Sequence, residues 1–231
     1  MEITYAIVGT AGRKEDGKAL TRHHFNAINE SNYPITHLVS GGAAWADHVA
    51  VRLFLDKKVP NLRLFLPDLW ENGSFHDTGD KDPYRNPGGT ANYYHGLFQK
   101  KTGINSLSDI QIAQAHGAHL VDRNKHGKML GFHARNALVA KSDFILACTF
   151  GEGNMLKDGG TADTIRKYLD RVRKEGIFDK SFHYDLKSGK VYEGCQVPPD
   201  PKDKQKEMAK LAKRLGIRGQ PIGMHFFPSS P

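Results

Sequence analysis

Short apolar runs alternate with helical periodicity over the first part of the chain. The runs at 3–8 and 37–39 end in glycine-containing turns, and a third run lies at 62–66. Between the runs, apolar residues recur at helical spacing over about 18–29 and about 43–56. Strands that alternate with helices in this way predict right-handed βαβ units and a parallel sheet.

The alternation of strands and helices stops over about 68–104, a stretch rich in Gly, Asn, Asp, Pro and aromatic residues that has no clear period. A long irregular segment inside a compact domain is usually a functional loop or a lid. Its aromatic side chains have two interpretations: they stack on a base or close a lid, or they form a satellite core that fastens the insertion down. They are Trp70, Phe75, Tyr84, Tyr93, Tyr94 and Phe98.

The alternation then resumes and closes with a hairpin around Lys187-Ser188-Gly189. The pattern predicts an α/β fold, a Rossmann-like three-layer domain with a mostly parallel sheet at 1–195. It also predicts an irregular insertion after the third strand, at about 68–105, and a C-terminal extension of helix and tail at 196–231. The other predicted elements are helices at about 106–116, 129–141 and 162–174, strands at 118–121 and 144–148, and hairpin arms at 181–184 and 190–192.

Composition narrows the class of protein. With 39% hydrophobic and 25% charged residues the 231-residue chain is an ordinary globular protein, and no apolar run approaches the roughly 20 residues that span a bilayer. The N-terminus lacks the regions of a signal peptide, so we expect a cytoplasmic protein with no membrane partner. The net charge of +8 favours an anionic partner, although much of the excess lies in a lysine-rich segment at 202–218 that reads as a solvated helix face.

Cysteine and histidine spacing gives no sign of a metal centre. Only Cys148 and Cys195 are present, and none of the twelve histidines stands at a recognised zinc spacing. We therefore expect no bound metal and no cofactor. The absence of a GxSxG elbow, a Walker lysine motif and a GxGxxG loop argues against an α/β-hydrolase, a P-loop NTPase and a dinucleotide dehydrogenase.

Glycine-containing turns follow or adjoin several predicted strands. Loops that follow parallel strands share one edge of the sheet, where ligands bind at the point at which the strand order reverses. Glycine lets the backbone approach a phosphate closely, and the helix that follows directs its amides at the anion, although glycine also serves ordinary tight turns. The turns are Gly9-Thr10-Ala11-Gly12-Arg13, Ser40-Gly41-Gly42-Ala43, Pro87-Gly88-Gly89-Thr90 and Gly159-Gly160-Thr161.

Polar side chains near these turns are candidates for ligand contacts. Ser40 and Thr161 offer hydroxyl groups, and Arg13 offers a bidentate phosphate contact. Asp47, one turn into the helix after Gly41-Gly42, either stabilises the helix start or holds a ribose hydroxyl. Asp163 directly follows the Gly-Gly-Thr turn, and its alternative reading is a first-turn helix acid.

Two segments resemble a known superfamily. VSGGAAWADHVA at 39–50 resembles the strand-GGA-x-x-AD-helix signature of the SLOG superfamily, which groups DprA/Smf DNA-processing proteins, LOG cytokinin-activating phosphoribohydrolases and YspA-like proteins. HARNALVAKSDFILACTFGEGNMLKDGGTADT at 133–164 is similar to the second half of that domain. The resemblance covers about 3–66 and 129–174 and omits the insertion and the C-terminal third.

The resemblance implies a Rossmann-like fold whose loops bind nucleotides or their derivatives. LOG-type enzymes cleave the N-glycosidic bond of a nucleoside monophosphate, using an Arg before the penultimate strand and a Glu shortly after the PGG-x-GT loop. Arg135 matches that Arg, whereas the Glu position falls on Thr164 beside Asp163, and Pro is missing before Gly159. An oxocarbenium-like centre needs a carboxylate nearby, so Asp163 is the candidate that would replace the Glu.

Three hypotheses follow. The first is an N-glycosidase or transferase acting on a nucleotide or ribosyl phosphate, with Asp163 as catalytic acid and with Asp47 and Arg135 orienting ribose or phosphate. The second is a non-catalytic module that senses or sequesters a nucleotide-derived signal, and the third is single-stranded DNA binding. SLOG relatives also imply a homo-oligomer. The candidate ligand-binding residues are Gly9, Thr10, Arg13, Ser40, Gly41, Gly42, Asp47, Asn136, Gly159, Gly160, Thr161 and Thr164.

Overall fold

The structure is a computed structural model that describes residues 3–29, 36–157, 159–199, 211 and 214. Met1–Val197 form one compact unit and Pro198–Pro231 form a second. The C-terminal helix and tail predicted at 196–231 lie mostly outside the described residues.

Strands and helices alternate along the first unit. The strands are β1 (Thr4–Gly9), β2 (His37–Ser40), β3 (Asn61–Phe65), β4 (Trp70–Glu71), β5 (Ser74–Phe75), β6 (His119–Val121), β7 (Phe144–Thr149), β8 (Ser181–Asp185) and β9 (Lys190–Glu193). The helices are α1 (Lys14–Ala19), α2 (Arg22–Asn29), α3 (Ala46–Leu55), α4 (Pro87–Thr102), α5 (Ser106–Ala115), α6 (Gly131–Val139) and α7 (Gly160–Glu175).

Seven strands form one sheet in the order β6-β3-β2-β1-β7-β8-β9. Its neighbours pair in parallel except β8 and β9, which form the predicted hairpin. Side chains alternate across the sheet, so Ile7 packs into a core with α2 to α5 while Ala6 and Val8 pack into a second core with α6 and α7. The predicted α/β fold with a Rossmann-like three-layer arrangement is confirmed.

The strand order reverses beside β1. From β1 the chain moves outward through β2, β3 and β6, and then crosses to β7 and β8 on the other side of β1. The loops that follow β1 and β7 therefore diverge to opposite faces of the sheet and leave a crevice between their carboxyl ends.

The helix predicted at 18–29 is two helices. The chain leaves α1 at Leu20, which has extended backbone angles of φ −64° and ψ 132° and is buried. The Lys101 ammonium donates to the backbone carbonyls of Gly17, Lys18 and Leu20, and so caps the C-terminal end of α1. A buried Leu at the break resembles one more apolar position of a continuous helix, which is why the pattern did not reveal the break.

The insertion after β3 is more regular than its composition predicts, since it contains the β4–β5 hairpin and the 16-residue helix α4. The buried stripe of α4 includes Ala91, His95, Phe98 and Thr102, which have helical spacing. Two of these four residues are polar, so a search for apolar periodicity does not detect the helix.

The aromatic residues of the insertion are of two kinds, those that are buried in the core and those that are exposed or half-buried at the surface. Phe75 and Phe98 are buried in the core, and Phe98 packs edge-on against Trp45 with ring centroids 5.0 Å apart. Tyr84 and Tyr93 are exposed, and Tyr94 is half-buried. The insertion is therefore fastened down as a part of the core, and Tyr94 lies at its boundary. None of the helices that the structure describes is long and apolar enough to cross a membrane.

His95 attaches α4 to the loop after β2. Its Nε2 lies 3.1 Å from the carbonyl oxygen of Gly42, and its Nδ1 lies 2.7 Å from the Ser106 hydroxyl. Burial lowers the pKa of His95 from 6.5 to about 3, so the ring is neutral, donates to Gly42 and accepts from Ser106.

This burial makes stability depend on pH. Between about pH 6.5 and pH 3 the unfolded chain binds a proton at position 95 that the folded chain does not, so stability decreases as the pH falls. We expect His95 to account for a loss of about 2 kcal/mol in the free energy of unfolding between about pH 7 and about pH 5. Urea titrations of the wild type and of His95→Gln across this range measure the difference in slope.

The matched control is His119→Gln, because His119 is exposed. His48 is also buried with a lowered pKa and accounts for part of the slope that remains in His95→Gln. Equal slopes for the wild type and His95→Gln would contradict the assignment.

Candidate functional site

A cleft with a cavity volume of about 120 Å³ opens at the carboxyl ends of β1 and β7. We call it the central cleft. It is lined by Val8, Gly9, Thr10, Ala11, Arg13, Asp16, Gly41, Ala43, Asp47, Arg135, Asn136, Val139, Thr149, Lys157, Gly159, Gly160, Thr161 and Thr164.

Three of the four glycine turns meet here, and Pro87-Gly88-Gly89-Thr90 does not. That turn is the first turn of α4, and its amides already have partners: Gly88 donates to Asp68 Oδ2 at 3.1 Å and Gly89 to Asn86 Oδ1 at 2.9 Å. Its glycines let the chain pack closely against the insertion, since a Cβ at Gly88 would overlap the carbonyl of His76. An N-terminus capped in this way has few amides left for an anion.

The carboxylate of Asp47 joins two of the converging loops. Its Oδ1 accepts the amide of Gly9 at 3.0 Å, and its Oδ2 accepts the amide of Gly41 at 3.1 Å. Burial raises the pKa of Asp47, and the Arg135 guanidinium and the loop amides oppose that rise. Both oxygens accept amides of the protein's own backbone, so Asp47 shapes the cleft that it also lines.

Two other predicted contacts lie outside the cleft lining. Ser40 is fully buried, and its hydroxyl lies within hydrogen-bonding distance of the carbonyls of Ile7 (3.1 Å) and Asp47 (3.2 Å). Gly42 lines a smaller neighbouring pocket. The sequence places Ser40 correctly at the strand end, but only the packing shows that its hydroxyl is directed into the protein.

The glycine positions of the cleft differ in what constrains them. A Cβ at Gly9 would overlap Ala46 and Cys148, and a Cβ at Gly41 would lie 2.8 Å from Asp47 Oδ2 and 3.0 Å from Arg135 Nε. Gly159 has φ 135°, which other residues rarely adopt. Gly160 has neither constraint: among the described residues, leaving aside its chain neighbours and the backbone of its own helix, no atom lies within 4 Å of a Cβ built there, and its φ is outside the left-handed region.

The residue that starts α3 adds backbone strain beside the cleft. Trp45 has φ 65° and ψ −118° although it is bulky and buried, and such a conformation costs about 1–3 kcal/mol. The surroundings hold it there: Phe98 packs on one side, and a Cβ at Gly12 would lie 2.7 Å from the indole Nε1. Gly12 thus lets the first loop close over Trp45.

Guanidinium groups of two elements share the mouth of the cleft. Arg135 on α6 is half-buried and donates to the carbonyl of Gly41 at 3.3 Å and to Asn136 Oδ1 at 2.9 Å. Burial lowers the pKa of Arg135, Asp47 opposes this, and the like charge of Arg13 lowers it further. An anion placed between the two guanidinium groups would relieve their repulsion.

Asn136 links α6 to the start of α7. Its amide nitrogen lies 3.3 Å from the carbonyl of Gly160 and 2.9 Å from Asp163 Oδ2. Thr164, which lines the cleft, donates its hydroxyl to the same Gly160 carbonyl at 3.0 Å. The predicted pair Arg135-Asn136 is therefore brought to the Gly159-Gly160-Thr161 loop.

Asp163 lies behind Asn136 and outside the cleft lining. Lys167 is ion-paired with it, and His133 Nδ1 is 3.5 Å from Oδ2. Burial opposes ionisation, but the hydrogen bonds from Lys167 and Asn136 and the nearby positive charges outweigh it and lower the pKa of Asp163. A carboxyl group with a lowered pKa is ionised at neutral pH, which suits charge stabilisation better than proton donation.

Sequence reasoning missed an ion pair across the cleft. Asp16 accepts from the Thr10 hydroxyl at 2.8 Å and is paired with Lys157, although the two charged residues are 141 positions apart. The loop that carries Lys157 is positioned by His183, whose ring contacts the Thr149 hydroxyl at 2.9 Å and the carbonyl of Gly153 at 2.6 Å. The available signal for Lys157 was its place just before the Gly159 turn.

Comparison with known proteins gives one relationship. An uncharacterised protein of Acanthamoeba polyphaga mimivirus is 36% identical over 180 residues, which make up 72% of this chain and 91% of the viral protein. This chain belongs to the family of that viral protein. No protein-family model matches the chain, and no solved structure does. Since the viral relative is uncharacterised, the family suggests no substrate, and the chemistry of the cleft is the guide to function.

The Asp47 junction is open to a direct test. Asp47→Asn keeps the size of the side chain but replaces one acceptor oxygen with a donor, so one of the amides of Gly9 and Gly41 loses its partner. We expect the free energy of unfolding in urea at neutral pH to decrease by about 1–3 kcal/mol.

Asp56→Asn at the other end of α3 is the control, because Asp56 forms an exposed pair with Arg52. Its effect should stay within about 0.5 kcal/mol. If Asp47→Asn proves as stable as the control, the carboxylate does not hold the two loops.

Proposed function

We propose that this chain binds a phosphate-bearing nucleotide or nucleotide derivative, with the phosphate in the central cleft against the start of α7. The observation that carries the proposal concerns Gly160, which lines the cleft. Neither close packing nor a positive φ requires glycine at this position. A ligand that must reach the backbone supplies the missing reason, because a bare glycine lets an anion touch the first amides of a helix. Gly159 has no side chain that could cap those amides.

Charge around the cleft supports an anionic ligand. Arg13, Arg135 and Lys157 bring three cations to the lining, and Asp16 and Asp47 bring two carboxylates. Asp47 is buried beneath the loops, where it accepts the amides of Gly9 and Gly41. A doubly charged phosphate would use the excess positive charge and the 16-residue dipole of α7 together.

The SLOG resemblance supports the same proposal independently of this charge count. It pairs an Arg-bearing helix with the Gly-Gly-Thr loop, and both Arg135 and Gly159-Gly160-Thr161 line the central cleft. A nucleotide-type ligand is the class that this resemblance implies.

The glycine at position 160 provides the test. Gly160→Ala places a methyl group in open space at the cleft, so we expect the protein to fold with unchanged stability or a gain of up to about 1 kcal/mol. The same methyl group keeps a phosphate from the amides of α7, and affinity should fall at least about 10-fold, which is about 1.4 kcal/mol. Calorimetric titration of the common ribonucleoside 5′-monophosphates into both proteins measures the loss.

Gly96→Ala is a matched control, since Gly96 also lies in a helix with nothing within 4 Å of a built Cβ and does not line the cleft. It should leave affinity unchanged. Equal affinities for Gly160→Ala and Gly96→Ala, or no binding of any nucleotide by the wild type, would rule out the phosphate position.

Cleavage of the N-glycosidic bond is the second candidate function. The observation that favours it is the ionised Asp163, which lies outside the cleft lining and is hydrogen-bonded to the cleft residue Asn136. An ionised carboxylate near C1′ of a ribosyl phosphate would stabilise the positive charge that develops as the base leaves, or would activate water.

This second function has its own test. With a nucleoside monophosphate that the protein binds, we expect chromatography to show free base and ribose 5-phosphate, and Asp163→Asn to slow their release by at least about 100-fold. Asp170→Asn on the same helix, where Asp170 is exposed and paired with Arg173, should keep the wild-type rate. Binding without any release of base would leave a sensor or sequestering module as the function.

A further inference from the structure

The central cleft is too small for a whole nucleotide. Its cavity volume is about 120 Å³. Pockets that enclose entire small molecules measure about 300–1,000 Å³. A nucleotide whose phosphate lies at Gly160 must therefore extend into neighbouring space.

A second pocket adjoins the central cleft, and we call it the aromatic slot. The two share Ala11, Arg13, Ala43 and Arg135 as a common wall. The slot has a cavity volume of about 40 Å³, and its remaining lining residues are Gly42, Ala44, Pro67, Thr90, Ala91, Tyr94, His95 and Phe132.

Two aromatic rings of the slot lie against the same planar cation. The Arg13 guanidinium carbon lies 5.3 Å from the ring centroid of Tyr94 and 5.4 Å from that of Phe132. Tyr94 comes from the insertion helix α4 and Phe132 from α6, so two separate elements supply these rings. Faces that accept a flat guanidinium also accept a flat heterocycle, and stacking on such rings tolerates any nucleobase.

Arg13 is in a position to move aside. Its side chain is exposed and lies against these two ring faces. Most of the other lining residues are small and apolar, chiefly alanine, glycine and proline. Displacement of the guanidinium toward a phosphate in the central cleft would enlarge the slot on the side where the rings lie.

Apart from Arg13 and Arg135, which the slot shares with the central cleft, the polar groups of the slot suit the edge of a base more than a second phosphate. His95 is neutral, and both of its ring nitrogens already contact Gly42 and Ser106. Thr90 contributes a hydroxyl group that can donate to or accept from a base. A mostly apolar pocket with few polar groups is the usual form of a base or cofactor subsite.

We propose that the aromatic slot is the base-binding subsite of the ligand, in which a nucleobase stacks on Tyr94 and Phe132 while the phosphate lies in the central cleft. This inference rests on the proposed nucleotide binding and goes beyond it by naming the subsite and its residues. The helix α4 that provides Tyr94 lies outside the segments with the SLOG resemblance, whereas Phe132 lies inside one of them, so the insertion contributes one of the two rings.

The test compares ligands with and without a base. Calorimetry measures the affinities of adenosine 5′-monophosphate and ribose 5-phosphate for the wild type and for Tyr94→Ala. We expect the wild type to bind the nucleotide more tightly than the sugar phosphate. Tyr94→Ala should lose at least about 10-fold in nucleotide affinity, within the range of base–aromatic stacking, and stay within about twofold for ribose 5-phosphate. Guanosine, cytidine and uridine monophosphates then rank the bases.

Two variants serve as controls. Tyr94→Phe retains the ring and should retain nucleotide affinity, which separates stacking from any effect of the hydroxyl. Tyr93→Ala removes the neighbouring tyrosine, which is 60% exposed and outside the slot, and should bind both ligands like the wild type. Far-ultraviolet circular dichroism verifies that each variant is folded.

The outcomes separate the two proposals. If Tyr94→Ala weakens both ligands equally, or weakens neither, the slot does not hold the base, and nucleotide binding in the central cleft still stands. If the wild type binds ribose 5-phosphate as tightly as the nucleotide, the base contributes nothing to affinity and the slot is again excluded as its subsite. If it binds neither the nucleotides nor ribose 5-phosphate, the proposed function itself fails, and this inference fails with it.

Discussion

The carboxylate of Asp47 is the junction on which the candidate site depends. A carboxylate has two acceptor oxygens, and here each of them accepts the amide of a different turn, Gly9 at the end of β1 and Gly41 after β2. Because the charge is buried, it requires compensation, which the loop amides and Arg135 on the opposite layer of helices provide. One side chain thereby sets the spacing of two loops and the position of the guanidinium beside them.

This junction changes how the glycines of the cleft are understood. Gly9 and Gly41 are required by the fold, since a side chain at either position would overlap the atoms that the junction draws together. Gly160 lies in the same cleft without such a requirement. Glycine-rich loops are therefore weak evidence for a ligand as a group, and the informative glycine is the one that both lines the cleft and has no packing requirement.

The insertion is a structural part of the site as well as an addition to the sheet. The α4 helix is fixed to the loop after β2 by His95 and to the core by Phe98, so it carries Tyr94 to the edge of the cleft on a rigid support. A site that combines loops of the parallel sheet with a ring from an inserted helix separates two tasks. The loops of the parallel sheet form the central cleft, and the insertion adds the ring of Tyr94 beside it.

The local sequence pattern determined the strand–helix alternation, the parallel sheet and the placing of three glycine turns at one edge. It could do so because the spacing of apolar residues within each segment shows which of its faces is buried. It did not reveal α4, whose buried stripe includes the polar His95 and Thr102. Nor could it show that the hydroxyl of Ser40 is directed inward, or that Asp16 pairs with Lys157 across the cleft. Tertiary structure decided these features, because partners of polar groups depend on which distant strands become neighbours, and a linear pattern carries no such information.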